Sequence, residues 1–122
     1  MVDPQPDGDP MFDLGALWMA ARYDFPFLIV MYNNRAYYND WAHQISVAKK
    51  RGTDVERAHV GMDLKGPAPD FAPIARGLGW HAEGPIEDPA ELGPALARAI
   101  AKVKSGTPAL VDAVVWRRGE RA

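Results

Sequence analysis

The sequence predicts an α/β domain built on a mostly parallel sheet with helices on both faces. Three observations lead there. Helix-like and strand-like segments alternate along the chain, and such alternation calls for crossover connections between parallel strands. The run Phe27-Leu28-Ile29-Val30-Met31-Tyr32 is apolar without alternation, as expected of a parallel strand buried on both faces. Finally, 11 Gly and 11 Pro among 122 residues suit many short, tight connections.

Val2-Asp3 reads as the end of a strand, so the domain is expected to be truncated at its N-terminus. Asp9-Pro10 then predicts a helix start, an acidic cap followed by Pro at the first helical position. Met11, Leu14, Leu17, Trp18 and Ala21 continue it at helical spacing, and Pro26 stops it. After the buried strand and Asn33-Asn34, a second helix is expected from Asn39 or Asp40. It ends with Lys49, Lys50 and Arg51 before Gly52, favourable charges for a helix C-terminus. Residues 52–69 read as a loop with room for one short helical turn. Phe71, Ile74, Ala75 and Leu78 predict a third helix closed by Gly79, followed by a short strand from Trp80 to Glu83. Asp88-Pro89-Ala90-Glu91 resembles a capping box, and Leu92, Leu96, Ile100 and Val103 give the last helix an apolar stripe. Gly106 ends it. Ala109 to Trp116 reads as the final strand, and Trp18 and Trp116 as core or interface residues.

Composition narrows the function. With 14 basic and 16 acidic residues and net charge −2, there is no basic stripe for nucleic acid. Cysteine is absent, which excludes thiolate metal sites, thiol nucleophiles and disulfides. Neither a leader nor an apolar run of membrane length is visible. The expectation is a soluble, cytoplasmic domain with neither nucleic acid nor membrane as partner.

In open α/β sheets ligands bind at the carboxyl ends of strands. Pro6-Asp7-Gly8-Asp9 and Asn33-Asn34-Arg35-Ala36 both occupy such places. One helix and one parallel strand separate them, so the chain returns to the same sheet edge. Asp7 and Asn34, 27 residues apart, should therefore face one point. Their hard oxygens suit Mg²⁺ or Ca²⁺, and Mg²⁺ would complete its octahedron with phosphate oxygens. Gly8 permits close backbone approach, and a helix N-terminus nearby would favour phosphate. The residues thus suggest a metal–diphosphate site.

This pattern resembles the cofactor motif of thiamine diphosphate-dependent enzymes: Gly-Asp-Gly, a spacer of about two dozen residues, then Asn-Asn. Leu14-Gly15-Ala16-Leu17-Trp18 and Tyr37-Tyr38-Asn39-Asp40 are similar to the acetolactate synthase-like and benzoylformate decarboxylase-like branch. The likeness runs from Val2 to Trp116 and implies the later part of a C-terminal pyrophosphate-binding domain. It implies that Asp7 and Asn34 bind Mg²⁺ through side-chain oxygens and Ala36 through its carbonyl. Gly8 and Asp9 would line the diphosphate, and Tyr37 or Tyr38, which open the helix beside the cofactor, would touch cofactor or substrate, Tyr37 being taken as the cofactor contact. Pro6 departs from the motif's first Gly, and Pro10 removes another N–H. Asp9 is expected to turn its carboxylate inward as a helix cap, away from phosphate.

The resemblance further implies a decarboxylase or carboligase of 2-oxo acids, assembled as a homodimer or homotetramer. The glutamate that activates the cofactor would come from a pyrimidine-binding domain, in the same longer chain or a separate subunit. Glu56, Glu83, Glu87, Glu91 and Glu120 all lie away from the two metal loops in sequence, so the chain alone is expected to be inactive. The alternative is a stand-alone α/β module that binds a phosphate or a partner without catalysis. His59 and His81 lack metal-ligand spacing and read as structural, and His43 reads as a partly exposed helix residue, with substrate contact as the alternative.

Overall fold

The computed structural model describes residues 1–116; Glu120 lies outside them. Strands β1 (Val2–Pro6), β2 (Leu28–Asn33), β3 (His81–Ile86) and β4 (Ala109–Val114) form one sheet in the order β1-β2-β4-β3. All its pairings are parallel, so every strand delivers its C-terminal end to the same edge. Helices α1 (Gly15–Arg22), α2 (Tyr38–Arg51), α3 (Phe71–Gly77) and α4 (Pro89–Lys104) connect the strands, with a 3-10 turn at Glu56–His59.

Strand alternation divides the core into two layers. Ile29, Met31 and Leu110 face Leu17 and Ala20 of α1 and Phe71, Ala72 and Ala75 of α3. Leu28, Ala109 and Val111 face Ala95 and Ala99 of α4 on the other side. Fully burying a Phe71 or a Leu110 contributes about 1.5–3 kcal/mol each. Trp80 ties the first layer together: its indole N–H donates to the Leu17 carbonyl at 2.6 Å, and its ring meets Phe27 edge-on at 5.1 Å. Helix α2 joins neither layer and packs against the 3-10 turn.

Several expected boundaries move. β1 runs on to Pro6, and its two prolines are tolerated because it is the sheet's edge. α1 starts at Gly15 with Leu14 as its cap residue, five residues after Pro10 would have begun it. Residues 7–13 instead fold as turns, through Asp9 N–H to the Pro6 carbonyl and Phe12 N–H to the Asp9 carbonyl. Met11 is accordingly exposed, not part of an apolar helix face. α2 begins at Tyr38, slightly early. β3 covers His81–Ile86, three residues beyond the expected end, with a bulge between Glu83 and Ile86. β4 stops at Val114, which leaves Trp116 outside it and 64% exposed. Trp18 is half-exposed as well, so neither tryptophan is core.

The remaining signals hold their places. Asp88 caps α4 by accepting the Ala90 N–H at 2.9 Å, with Pro89 at its first turn. Gly52 closes α2 and Gly79 follows α3, both with left-handed backbone. No helix among the described residues is long and apolar enough to cross a membrane.

Candidate functional site

The parallel sheet sets the site's location, since β1 ends at Pro6 and β2 at Asn33 on one edge. Asp7 follows β1 and is fully buried. Its Oδ1 accepts the backbone N–H of Asn34 at 3.4 Å, while its Oδ2 is buried with no partner. Asn34 Oδ1 is buried without a partner too. Two oxygens from loops 27 residues apart are thus withdrawn from water and left without a donor. Such orphaned atoms are rare in folded proteins and ask for an explanation. Burial pushes the Asp7 carboxyl above its ordinary range, and backbone N–H groups of Asn34, Asp7, Ala36 and Arg35 pull it partly back. Among the described residues no Lys or Arg forms an ion pair with it.

Several restraints shape the second loop. Arg35 has left-handed backbone, φ 57, a conformation costing a non-glycine residue roughly 1–2 kcal/mol. Its N–H donates to Asn33 Oδ1 at 3.0 Å, and its carbonyl accepts the Leu64 N–H at 2.9 Å. Its guanidinium pairs with Glu87 at 3.0 Å. Tyr37 N–H donates to the Met62 carbonyl, so residues 35–37 are strapped to residues 62–64 around an Ala36–Asp63 bridge. Ala36 is buried by this strap.

Gly8 lies beneath Tyr37: a Cβ there would stand 2.5 Å from ring atom Cε1 and 2.6 Å from Cδ1. Phe12 also meets that ring at a tilt, centroids 5.7 Å apart. An open cleft of about 450 Å³ follows, lined by Gly8, Asp9, Asn34, Ala36, Tyr37 and Tyr38 among others. The structure therefore gathers Asp7, Gly8, Asp9, Asn34, Ala36 and Tyr37 at one edge. Asp9 differs from expectation in one respect. Its side chain caps nothing, because α1 begins well after it, and Asp9 is exposed at the cleft.

Histidines stay apart from this edge. His43 is exposed on α2, His59 bonds the Glu56 carbonyl, and His81 pairs with Glu83. No group of three or more His, Cys, Asp or Glu suited to a metal occurs among the described residues. A cation at the edge would instead draw on one carboxylate, one amide and a carbonyl, a donor set for a hard ion.

Two residues at this edge escape a motif-based reading. Glu87 is remote in sequence, yet it follows β3 and so reaches the same edge, where it holds Arg35. Asp112 is buried on β4 and accepts the Asn33 Nδ2–H at 3.0 Å. Burial raises its carboxyl to about 6, against the hydrogen bond from Asn33, and the Asp7 charge adds to the rise. A charged residue inside the apolar stretch Ala109–Val114 is the sequence signal for it.

Comparison with solved structures gives a match to the Rhodococcus jostii RHA1 thiamine diphosphate-dependent 4-hydroxybenzoylformate decarboxylase, with TM-score 0.69 and 24% identity. The superposition covers 99% of this chain and 20% of that one. It establishes a shared fold, over about a fifth of the larger protein. No curated protein matches in sequence. A family model, thiamine pyrophosphate enzyme C-terminal TPP binding domain, matches residues 5–113. That stretch runs from β1 into β4 and takes in both loops of the cleft, so the chain belongs to the thiamine pyrophosphate enzymes, as a C-terminal TPP-binding domain.

Proposed function

We propose that this chain holds Mg²⁺ and thiamine diphosphate for an enzyme that decarboxylates or carboligates 2-oxo acids, in the manner of acetolactate synthase-like and benzoylformate decarboxylase-like proteins. The observation that carries the proposal is the pair of orphaned buried oxygens, Asp7 Oδ2 and Asn34 Oδ1. A divalent cation would satisfy both and offset the desolvation that now opposes ionisation of Asp7. Asp7, Asn34 and the Ala36 carbonyl would be its protein ligands, with diphosphate and water oxygens completing the six that Mg²⁺ takes.

Gly8 and Asp9 would border the diphosphate. Gly8, whose missing side chain makes room for the Tyr37 ring, and exposed Asp9 both line the cleft. Tyr37, in close contact with Gly8, would form the wall that the rest of the cofactor meets. When bound, thiamine diphosphate supplies the carbon nucleophile and electron sink for cleaving the bond beside a 2-oxo group. This chain's own part is to position the diphosphate end and to set the charge around it.

The rest of the site would come from a pyrimidine-binding domain, in the same longer chain or another subunit, within a cytoplasmic homodimer or homotetramer. Exposed Phe12, Trp18, Met19, Tyr23 and Phe25 around α1 support such assembly. The edge strand β1 supports it too, since it lies beside them with one side unpaired. Alone, the chain is expected to release no more carbon dioxide from pyruvate or benzoylformate than free cofactor does. Calorimetry of Mg²⁺ with thiamine diphosphate on the complete assembly tests the reading. Binding should vanish in Asp7→Ala, and undiminished binding would refute it.

A further inference from the structure

Asp112 has no place in the cofactor motif, yet it sits directly beneath it. β2 and β4 pair with Met31 opposite Asp112, so Asn33, two residues on, projects from the same face one step nearer the site. The carboxylate takes the Asn33 Nδ2–H at 3.0 Å, both groups being buried. That contact decides how the Asn33 amide is turned. A primary amide has a donor end and an acceptor end, and an ionised carboxylate can only accept. With Nδ2 committed to Asp112, Oδ1 must face the other way, toward the Arg35 N–H at 3.0 Å. The latter bond holds Arg35 at φ 57. The left-handed residue in turn reverses the chain between Asn34 and Ala36, whose oxygens lie on either side of it.

We propose that Asp112 is a positioning residue for the cation, acting through the orientation of the Asn33 amide on the backbone that presents Asn34 and Ala36. This rests on the cation-binding reading of Asp7, Asn34 and Ala36. The relay spans β4, β2 and the loop, and each link is one hydrogen bond at 3.0 Å. Gly84 on β3 keeps the far side of Asp112 fixed. A Cβ there would come 2.6 Å from the Asp112 Cβ and 2.7 Å from its carbonyl oxygen, so β3 packs directly on the Asp112 backbone. Asp112 therefore has little freedom to shift, and Asn33 meets an acceptor at a fixed point.

Two substitutions separate positioning from simple packing. Asp112→Leu removes the acceptor and frees the Asn33 amide to turn. Asp112→Asn keeps the shape but offers a donor as well as an acceptor, so both amide orientations become available. The measurements are affinity for Mg²⁺ with thiamine diphosphate by calorimetry and the thermal midpoint of the cation-free protein, on the complete assembly. Outer partners of metal ligands typically matter about 10–100-fold in affinity. Asp112→Leu should lose affinity in that range, and Asp112→Asn should lie between it and the parent. Asp112→Asn should not melt below the parent without cation, because it removes a buried charge and keeps an acceptor for Asn33, whereas Asp112→Leu strands the Asn33 Nδ2–H and should melt lower. A residue that only packs would instead lose affinity in step with stability.

The double variant Asn33→Ala/Asp112→Leu should bind no more weakly than Asn33→Ala alone, since both break one relay. Should Asp112→Leu fail to fold, the isosteric Asp112→Asn decides the matter by itself. If the parent binds and Asp7→Ala does not, parent-like affinity in Asp112→Leu or, failing that, in Asp112→Asn overturns the positioning role while the cation site stands. If the parent itself does not bind, the cation reading falls and the positioning role falls with it.

Discussion

Glu83 on β3 and Asp7 beyond β1 are both carboxylates drawn largely out of water, yet their surroundings treat them oppositely. Glu83 accepts from Arg98 Nε at 3.0 and 3.1 Å and from Nη2 at 2.5 Å, and it faces His81 Nε2 at 3.0 Å. Arg98 first, then His81, hold its carboxyl below the ordinary range against the burial. Asp7 has one N–H at 3.4 Å and an orphaned second oxygen, and burial holds it above that range. The Glu83 cluster is complete within the chain. Asp7 has no such charged partner among the described residues. Substitutions at the two places should consequently have opposite signs.

The largest expected effect is at Asp7. Asp7→Asn preserves the shape of the side chain but removes the charge that a cation needs. Its affinity for Mg²⁺ with thiamine diphosphate should fall by at least about 100-fold, beyond the usual effect of an outer partner. The cation-free protein should melt no lower than the parent, because a desolvated charge has gone. Loss of stability with binding retained would erase the contrast with Glu83.

The pH dependence should diverge as well. Asp112 rises from an ordinary 3.8 to about 6, so between those values the folded chain holds more protons than the unfolded one. Its contribution to stability therefore falls as pH rises from about 4 to about 6 and is flat above. Glu83 is lowered, so its contribution is present above the ordinary value of 4.5 and lost as pH falls below it. Denaturant unfolding of the cation-free protein across pH 3 to 8 reads both. Asp7, also raised by burial, adds to the first slope, so Asp112→Asn should reduce that slope without abolishing it and leave the second unchanged.

How far the sequence carries these two regions differs. The meeting of Asp7 and Asn34 follows from parallel topology, because a helix and a strand return the chain to one edge. The unalternating run before Asn33 declares that topology. Asp88-Pro89 fixes the start of α4 through a purely local bond. Asp9-Pro10 carries the same local signal and fails. Pro10 is buried and turn bonds from Asp9 N–H to the Pro6 carbonyl and from Phe12 N–H to the Asp9 carbonyl occupy this stretch instead, so the surrounding fold overrides the cap propensity. Glu87 and Asp112 show a different gap. Their arrival at the site depends on the strand order β1-β2-β4-β3, which no local pattern encodes. Trp116 misleads for a similar reason: its β propensity is real, but the neighbouring strand ends at Asn33.

A third expectation concerns Gly8, where space and not charge is the limit. A Cβ at 2.5 Å from the Tyr37 ring forces the ring aside, and overpacking of this kind costs about 1–3 kcal/mol. Gly8→Ala should lose stability in that range and weaken cofactor binding. Since the obstacle is one side chain, Gly8→Ala/Tyr37→Ser should recover much of the stability. No recovery would mean that the backbone at residue 8, not the ring above it, sets the constraint.

The smallest effect is expected where the hydrogen bonding is richest. Glu83→Gln removes the charge from a carboxylate with a bidentate guanidinium partner. The Arg98 side chain is 60% exposed, so water takes over much of what Glu83 gives up. Exposed pairs are typically worth about 0.2–1 kcal/mol, and the glutamine can still accept from Arg98 through its remaining carbonyl. The loss should fall within that range in urea unfolding at pH 7, shrink with added salt as screening sets in, and fade as pH falls below the ordinary 4.5. Affinity for Mg²⁺ with thiamine diphosphate should not change, since Glu83 precedes the bulge and the end of β3. A loss above 2 kcal/mol, or any weakening of cofactor binding, would make the Glu83 cluster part of the site's support and end the contrast.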